Sequence, residues 1–260
     1  MRILVCVKQV PSSSQVRLDP ETKTLIRDGR QSVLNPFDAY AIEEAVRWKE
    51  ALGGTVTVLS MGIPSTERLL RDAIARGADE GVLLSDRAFA GADTLATSYT
   101  LAAGIRRLGD FSLILCGRMA VDGDTAQIGP ELAEQLGIPH VAEVSRILAV
   151  QGHQAVVEKE ADGSRLKLAV ALPALLTVTR EINQPRLPPL AGIRRGGTGT
   201  VHLWGAGELE TSPERTGLSG SPTQVVETCV PKREQICEPV EGTLAEKAAA
   251  VLRLWKALGE

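Results

Sequence analysis

Short aliphatic runs and amphipathic stretches alternate along the first half of the chain. Ile3–Val7, Thr55–Ser60, Gly81–Leu84 and Leu113–Cys116 are dominated by aliphatic residues, the pattern of strands buried on both faces. Helical periods lie between them. After Asn35-Pro36, residues Ala41, Ile42, Ala45, Val46 and Lys49 share one stripe, and Gly53-Gly54 ends it. Asn is a favoured N-cap and Pro a favoured first helical residue, so a helix starts there. Thr66–Arg76 reads as a second helix closed by Gly77. Asp93–Leu108 reads as a third, with Leu95, Tyr99, Ala102 and Ile105 on one face. Glu131–Leu136 reads as a fourth, closed by Gly137. Strict strand–helix alternation implies an α/β fold: a doubly wound, mostly parallel, Rossmann-like sheet with helices on both faces.

The rhythm then changes. Val141–Val150, Gln154–Glu160, Arg165–Ala171 and Leu175–Thr179 read as successive strands, with a hairpin turn at Asp162-Gly163. The polar stretch from Pro11 to Arg30 reads as an excursion containing a hairpin, with alternation at Val16–Leu18 and Thr24–Ile26. Glu181–Leu190 is Pro-rich and expected to be extended and exposed. Residues 191–240 show little periodicity and read as an arm laid over a partner. Leu244–Leu258 is an amphipathic helix with Leu244, Ala248, Val251, Leu252 and Trp255 on one stripe. The expected division is a nucleotide-binding domain over 1–190 and a C-terminal arm and helix over 191–260.

Composition narrows the chemistry. A formal net charge of −3 and only 3% aromatic residues argue against a nucleic-acid binder. No apolar run is long enough for membrane insertion, and the N-terminus carries no targeting pattern, so a cytoplasmic protein is expected. Cys6, Cys116, Cys229 and Cys237 lack metal spacing, and His140, His153 and His202 are scattered, so no metal site is expected. Cys6 and Cys116 are expected to pack as small hydrophobes. The dinucleotide signature GxGxxG is absent after the first strand, as is the phosphate loop GxxxxGK[ST].

The candidate site is the strand-to-helix crossing from Gly117 to Pro130, GRMAVDGDTAQIGP. Open α/β sheets bind ligands at the carboxyl ends of their strands. Gly117, Gly123 and Gly129 permit close backbone approach. Asp122 and Asp124 suit ribose hydroxyls or backbone amides, and Gln127 both donates and accepts. Thr125 suits a helix cap or a phosphate. Lys8, at the end of the first strand, suits a phosphate or open solvent equally. Asp38 fits either the first-turn dipole or a ligand contact. No side chain reads as an acid–base catalyst.

Five segments carry a family resemblance: ILVCVKQVP, NPFDAYAIEEAVRWKE, TVLSMG, CGRMAVDGDTAQIGPELAEQLGIP and LPALLTVTREINQPRLPPLAG. Together they resemble the beta subunit of electron transfer flavoproteins over nearly the whole length. The resemblance implies a heterodimer with an FAD-binding alpha subunit. It also implies a nucleotide cleft lined here by Cys6, by Asn35, Pro36, Phe37 and Asp38, by Met61, and by the loop Gly117, Arg118, Met119, Ala120, Val121, Asp122, Gly123, Asp124, Thr125, Ala126, Gln127 and Ile128. In the simple carrier branch the nucleotide is AMP. In the bifurcating branch it is a second FAD that takes a hydride from NADH, with NAD(H) as substrate. The loop here looks like the bifurcating form, because Gly and Thr leave room and donors for a diphosphate that extra carboxylates would repel. Arg118 suits that diphosphate or the flavin. The resemblance further implies an acyl-CoA dehydrogenase partner, docked by an apolar anchor at Leu190 and influenced by Glu160, and ferredoxin or flavodoxin as low-potential acceptor. Relatives carry a longer lysine-rich run where this chain has Arg194-Arg195-Gly196-Gly197. An AMP-holding structural subunit is the alternative, and a stand-alone adenine-nucleotide module of the universal-stress type is a third reading.

Overall fold

The computed structural model describes residues 1–12, 32–226 and 239–258. In chain order its elements are β1 (Arg2–Cys6), β2 (Gln9–Pro11), β3 (Ser32–Leu34), α1 (Pro36–Leu52), β4 (Thr55–Met61), α2 (Glu67–Arg76), β5 (Glu80–Leu84) and α3 (Thr94–Leu108). There follow β6 (Leu113–Gly117), α4 (Ile128–Leu136), β7 (His140–Gln151), β8 (Gln154–Ala161), β9 (Ser164–Ala171), β10 (Ala174–Val178), α5 (Leu190–Thr198), β11 (Val201–Trp204) and α6 (Leu244–Leu258).

One nine-stranded sheet runs in the order β11-β5-β4-β1-β6-β10-β7-β8-β9. It is parallel from β11 to β7, and β8 and β9 close it antiparallel. The all-apolar runs do form the central strands. Ile3 and Val5 face one core layer with Ile42, Val46 and Leu70, so α1 and α2 cover that face. Leu4 and Cys6 face the other with Leu101, Ile105 and Leu132, so α3 and α4 cover it. The chain order reverses at β1. The crossovers through α1 and α2 build outward on one side, and α3 returns the chain to β6 on the other. β1 and β6 therefore flank the switch point, where their carboxyl ends diverge from opposite crossovers.

Several sequence expectations differ from the structure. Residues 190–204 are not an aperiodic arm: Leu190–Thr198 is a helix and Val201–Trp204 pairs in register with β5. The compact unit runs Met1–Val225, past the expected boundary at 190, and the second unit is Val226–Glu260. The reason is the composition of the buried face of α5. A Cβ at Gly192 would collide with Ala75 O, and one at Gly196 would lie 2.5 Å from Arg71 O. The helix lies directly on α2 through glycines, so aliphatic periodicity does not mark it. Arg71 then closes its end, donating to the carbonyls of Gly196, Gly197 and Gly199 at 3.1, 3.2 and 3.3 Å. Leu95 differs too: read as a core position of α3, it is 42% exposed.

The expected hairpin between Val16 and Ile26 lies outside the described residues. Its flanks pair as the antiparallel strands β2 and β3. In the second unit, Thr243 and Glu246 cap α6 reciprocally: Thr243 N–H donates to Glu246 Oε2 at 2.7 Å and Glu246 N–H to Thr243 Oγ1 at 3.4 Å. Leu244, Val251, Leu252, Leu254 and Trp255 on this helix are exposed. Among the described residues, no helix is long and apolar enough to cross a membrane.

Candidate functional site

The cleft at the switch point has a volume of about 300 Å³. Its floor is sulfur and aliphatic: Cys6 and Cys116, Val7, Met61 and Leu101. Cys6 and Cys116 are in-register neighbours on β1 and β6. The adjacent Cys6 thiol, and then burial, push the Cys116 thiol well above its ordinary value, so it stays neutral. Both cysteines pack in the core as expected, and both also face the cleft.

One wall is built by Asn35. The expected cap is absent, because no side chain caps α1 at this residue. Asn35 is 1% exposed and turns instead toward the loop after β6. Its amide donates to Met119 O and to Asp38 Oδ1, each at 2.9 Å, and accepts from Val121 N–H at 3.2 Å. Asp38, also buried, accepts from Lys8 N–H at 2.7 Å. Burial pushes its carboxyl up to about 7, against the hydrogen bonds from Asn35, Lys8 and Gly117 that favour the ionised form. One carboxyl thus ties together the ends of β1 and β6 and the start of α1. Gly117 makes this possible: a Cβ there would collide with Asp38 Oδ1 and lie 2.7 Å from Phe37 C.

The other wall is the loop itself and the start of α4. Asp124 and Ala126 adopt left-handed backbone, with φ of 51° and 55°. Lys8 Nζ donates to Asp122 Oδ1 at 2.8 Å, drawing the loop to the end of β1. Gln127 supplies no side-chain cap to α4. Pro130 in the first turn has no N–H, so the free donors are those of Ile128 and Gly129, which line the cleft and have no side-chain acceptor, an arrangement that favours an anion. The loop glycines play different parts. Gly117 makes room for α1, and a Cβ at Gly129 would collide with the Thr177 methyl, whereas a Cβ at Gly123 meets nothing within 4 Å. Only Gly123 leaves open space for a ligand.

Of the residues singled out by sequence, the structure brings Cys6, Lys8, Asn35, Asp38 and Met61 to one cleft with Gly117, Arg118, Met119, Ala120, Gly123, Thr125, Ala126, Gln127 and Ile128. Pro36, Phe37, Val121, Asp122 and Asp124 do not line it, although Asp122 acts through Lys8. Leu190 stands apart at the start of α5, 83% exposed, with Leu187 beside it at 85%. Glu160 is on the β8–β9 hairpin, where its carboxylate is 3.7 Å from Arg165. Sequence reasoning missed the start of α3, where Asp93, Thr94 and Thr97 line the cleft. The signal was present: Asp93 caps α3 by accepting from Ala96 N–H at 3.1 Å, and an Asp-Thr helix start beyond a parallel strand is a cleft position.

Glu143, which has no motif around it, does not line the cleft but pairs with Arg118, which does. Arg118 Nε lies 2.9 Å from Glu143 Oε1, with both side chains more than a third exposed. Glu143 has a φ of 61° within β7. An exposed ion pair contributes about 0.2–1 kcal/mol. A left-handed residue other than glycine costs roughly 1–2 kcal/mol. The ion pair alone therefore does not offset the strain at Glu143.

A second, larger cavity of about 720 Å³ opens at the opposite end of the strands, lined by Arg2, Arg106, Phe111, Ser112, His153 and Pro173 among others. Its Arg2 is already spent on structure. The guanidinium donates to Asp110 O at 2.9 Å and Leu108 O at 3.1 Å, and lies 4.6 Å over the Phe111 ring.

A family model described as the electron transfer flavoprotein domain matches residues 22–209. An electron transfer flavoprotein subunit beta from Thermoanaerobacterium thermosaccharolyticum is 46% identical over 95% of this chain and 94% of its own length. The caffeyl-CoA reductase-Etf complex subunit CarD of Acetobacterium woodii is 44% identical, over 97% of this chain and 96% of its own. The protein FixA of Azotobacter vinelandii is 41% identical, over 97% and 94%.

Proposed function

This chain belongs to the electron transfer flavoprotein family as a beta subunit, and from that premise we propose that, paired with an alpha subunit, it holds FAD in the switch-point cleft. The observation that carries the reading is the uncapped start of α4 facing the same cleft as Lys8, Arg118 and the open side of Gly123. Those groups suit a diphosphate: backbone N–H donors, two cations, and no Cβ in the way. Cys6, Met61 and Leu101 offer an apolar floor to an aromatic ring system and keep water from it. Asn35 and Asp38 fix the distance between the walls. Burial pushes the Asp38 carboxyl up to about 7, so near neutral pH it is only partly ionised, which limits its repulsion of phosphate oxygens.

A bound FAD supplies hydride acceptance and single-electron release, chemistry that side chains lack. In this proposal the heterodimer oxidises NADH. One electron passes to ferredoxin or flavodoxin, and the other passes through the alpha-subunit FAD to an acyl-CoA dehydrogenase. The printed names of CarD and its caffeyl-CoA reductase complex support an acyl-CoA-type partner. Exposed Leu190 and Leu187 suit its docking, with Glu160 on the hairpin as a second contact. The exposed stripe of α6 suits the alpha subunit.

A second reading, AMP as a structural nucleotide, is favoured by the cleft's volume of about 300 Å³, at the small end of the range of roughly 300–1,000 Å³ for ligand pockets. Co-expression with the alpha subunit, followed by denaturation and counting of released cofactors, decides between them. Two flavins per heterodimer are expected. One flavin and one AMP establish the second reading, and release of neither adenylate nor a second flavin defeats both.

A further inference from the structure

Glu143 lies on β7, separated from β6 by β10, and reaches the cleft through Arg118; its backbone is shaped by its neighbours. β7 and β10 pair Leu176 with Val141 and Val178 with Val144, so Ala142 and Glu143 together face the single residue Thr177. This is a β-bulge, a device that re-aims a side chain beside a site. The extra N–H is not left bare: Glu143 N–H donates to Thr177 Oγ1 at 2.9 Å. Thr177 is itself buried, so the bulge has a firm base. The left-handed Glu143 then directs its carboxylate to Arg118 Nε. Arg118 is anchored from the other direction, its N–H donating to Val178 O at 2.9 Å.

We propose that Glu143 is a positioning residue that holds the Arg118 guanidinium at the cleft mouth for the diphosphate of the bound nucleotide. The inference rests on the nucleotide reading of the cleft. The contact engages Nε, and a guanidinium carries four further N–H donors in a fixed plane. Fixing that plane in advance lowers the ordering cost when phosphate oxygens arrive. Arg118 is about 44% exposed, so without the carboxylate its long side chain would sample solvent. The partner is fixed in turn by strand pairing rather than by a flexible loop, which makes the orientation dependable.

Glycine accepts the φ of 61° freely, which gives the test opposite signs for the two explanations. The heterodimer would be purified with wild-type chain, Glu143→Gly, Glu143→Gln and Arg118→Gln. Its affinity for FAD and for AMP and its melting temperature would be measured. For Glu143→Gly the melting temperature is expected to hold or rise while nucleotide affinity falls about two- to fivefold. Glu143→Gln, which keeps an acceptor but loses charge, should fall about half as far on a logarithmic scale. Adding Glu143→Gly to Arg118→Gln should cost no further affinity. A residue that only supports the fold would lower melting temperature and affinity together, and that result overturns the proposal. So does an unchanged affinity in Glu143→Gly, or in Glu143→Gln should the glycine variant not assemble. A wild-type heterodimer that binds neither nucleotide overturns the reading of the cleft itself, and this inference with it.

Discussion

The two ends of the central strands differ in how they spend their polar groups. At the amino end of β1, β6 and β10 the cavity is larger, yet its chief cation, Arg2, is committed to Asp110 O, Leu108 O and the Phe111 ring. At the carboxyl end the cavity is smaller, but two buried polar residues, Asn35 and Asp38, build its wall. Of the four described residues other than glycine with left-handed backbone, Asp124, Ala126 and Glu143 lie on this side and Asp162 turns the β8–β9 hairpin. Strain and buried polarity cost stability wherever they occur. Asn35, Asp38 and most of the left-handed residues stand at the end where the crossovers diverge, and volume does not follow them. Function is better located by what the fold tolerates than by how much space it leaves.

Substitutions at the two ends sharpen that contrast. The largest effect is expected for Gly117→Val, which drives a side chain into Asp38 and the Phe37 backbone. A loss of about 3 kcal/mol, a fall of roughly 6–12 °C in melting temperature, is expected with loss of bound nucleotide. Calorimetry and cofactor counting check it. Asn35→Ala removes two donated bonds and one accepted bond and leaves Met119 O and Val121 N–H without their partner. About 2–3 kcal/mol is expected by denaturant titration, again with nucleotide loss.

Asp38 gives a pH signature. Its folded value of about 7 is above the ordinary 3.8, so the folded state binds the proton more tightly than the unfolded chain. Stability from this group is therefore greatest below the unfolded value and falls as pH rises toward 7, by at most about 1.4 kcal/mol per unit. Asp38→Asn should remove that slope, which unfolding midpoints between pH 4 and 8 would register. A slope that survives the substitution assigns it to another group. The smallest effect is expected for Arg2→Ala at the amino end: about 1 kcal/mol and no change in nucleotide content. Nucleotide loss there would break the contrast between the two ends.

The sheet and its switch point were legible because aliphatic runs such as Ile3–Val7 and Leu113–Cys116 are written in the residues that bury them. The loop was legible as a crossing rich in glycine and acid. Where the reading departed, one side chain or none carried the information. Asn35 has the composition of a cap, but its partners lie in the chain beyond Gly117, a pairing that only the folded sheet creates. Glycine at Gly192 and Gly196 buries no side chain, so α5 left no hydrophobic period to detect. The bulge at Glu143 depends on how β7 registers with β10, which joins strands far apart in sequence.

The glycine contact between α5 and α2 has a mechanical consequence. With backbone pressed on backbone and Arg71 clamping the far end, the helix has no slack. The preceding segment is clasped as well, because Arg186 forks onto Glu43 and Glu50 of α1 at 2.8 and 2.6 Å. Leu187 and Leu190 are thereby mounted on a rigid bracket, and the height at which they project is gauged by the absence of two methyl groups.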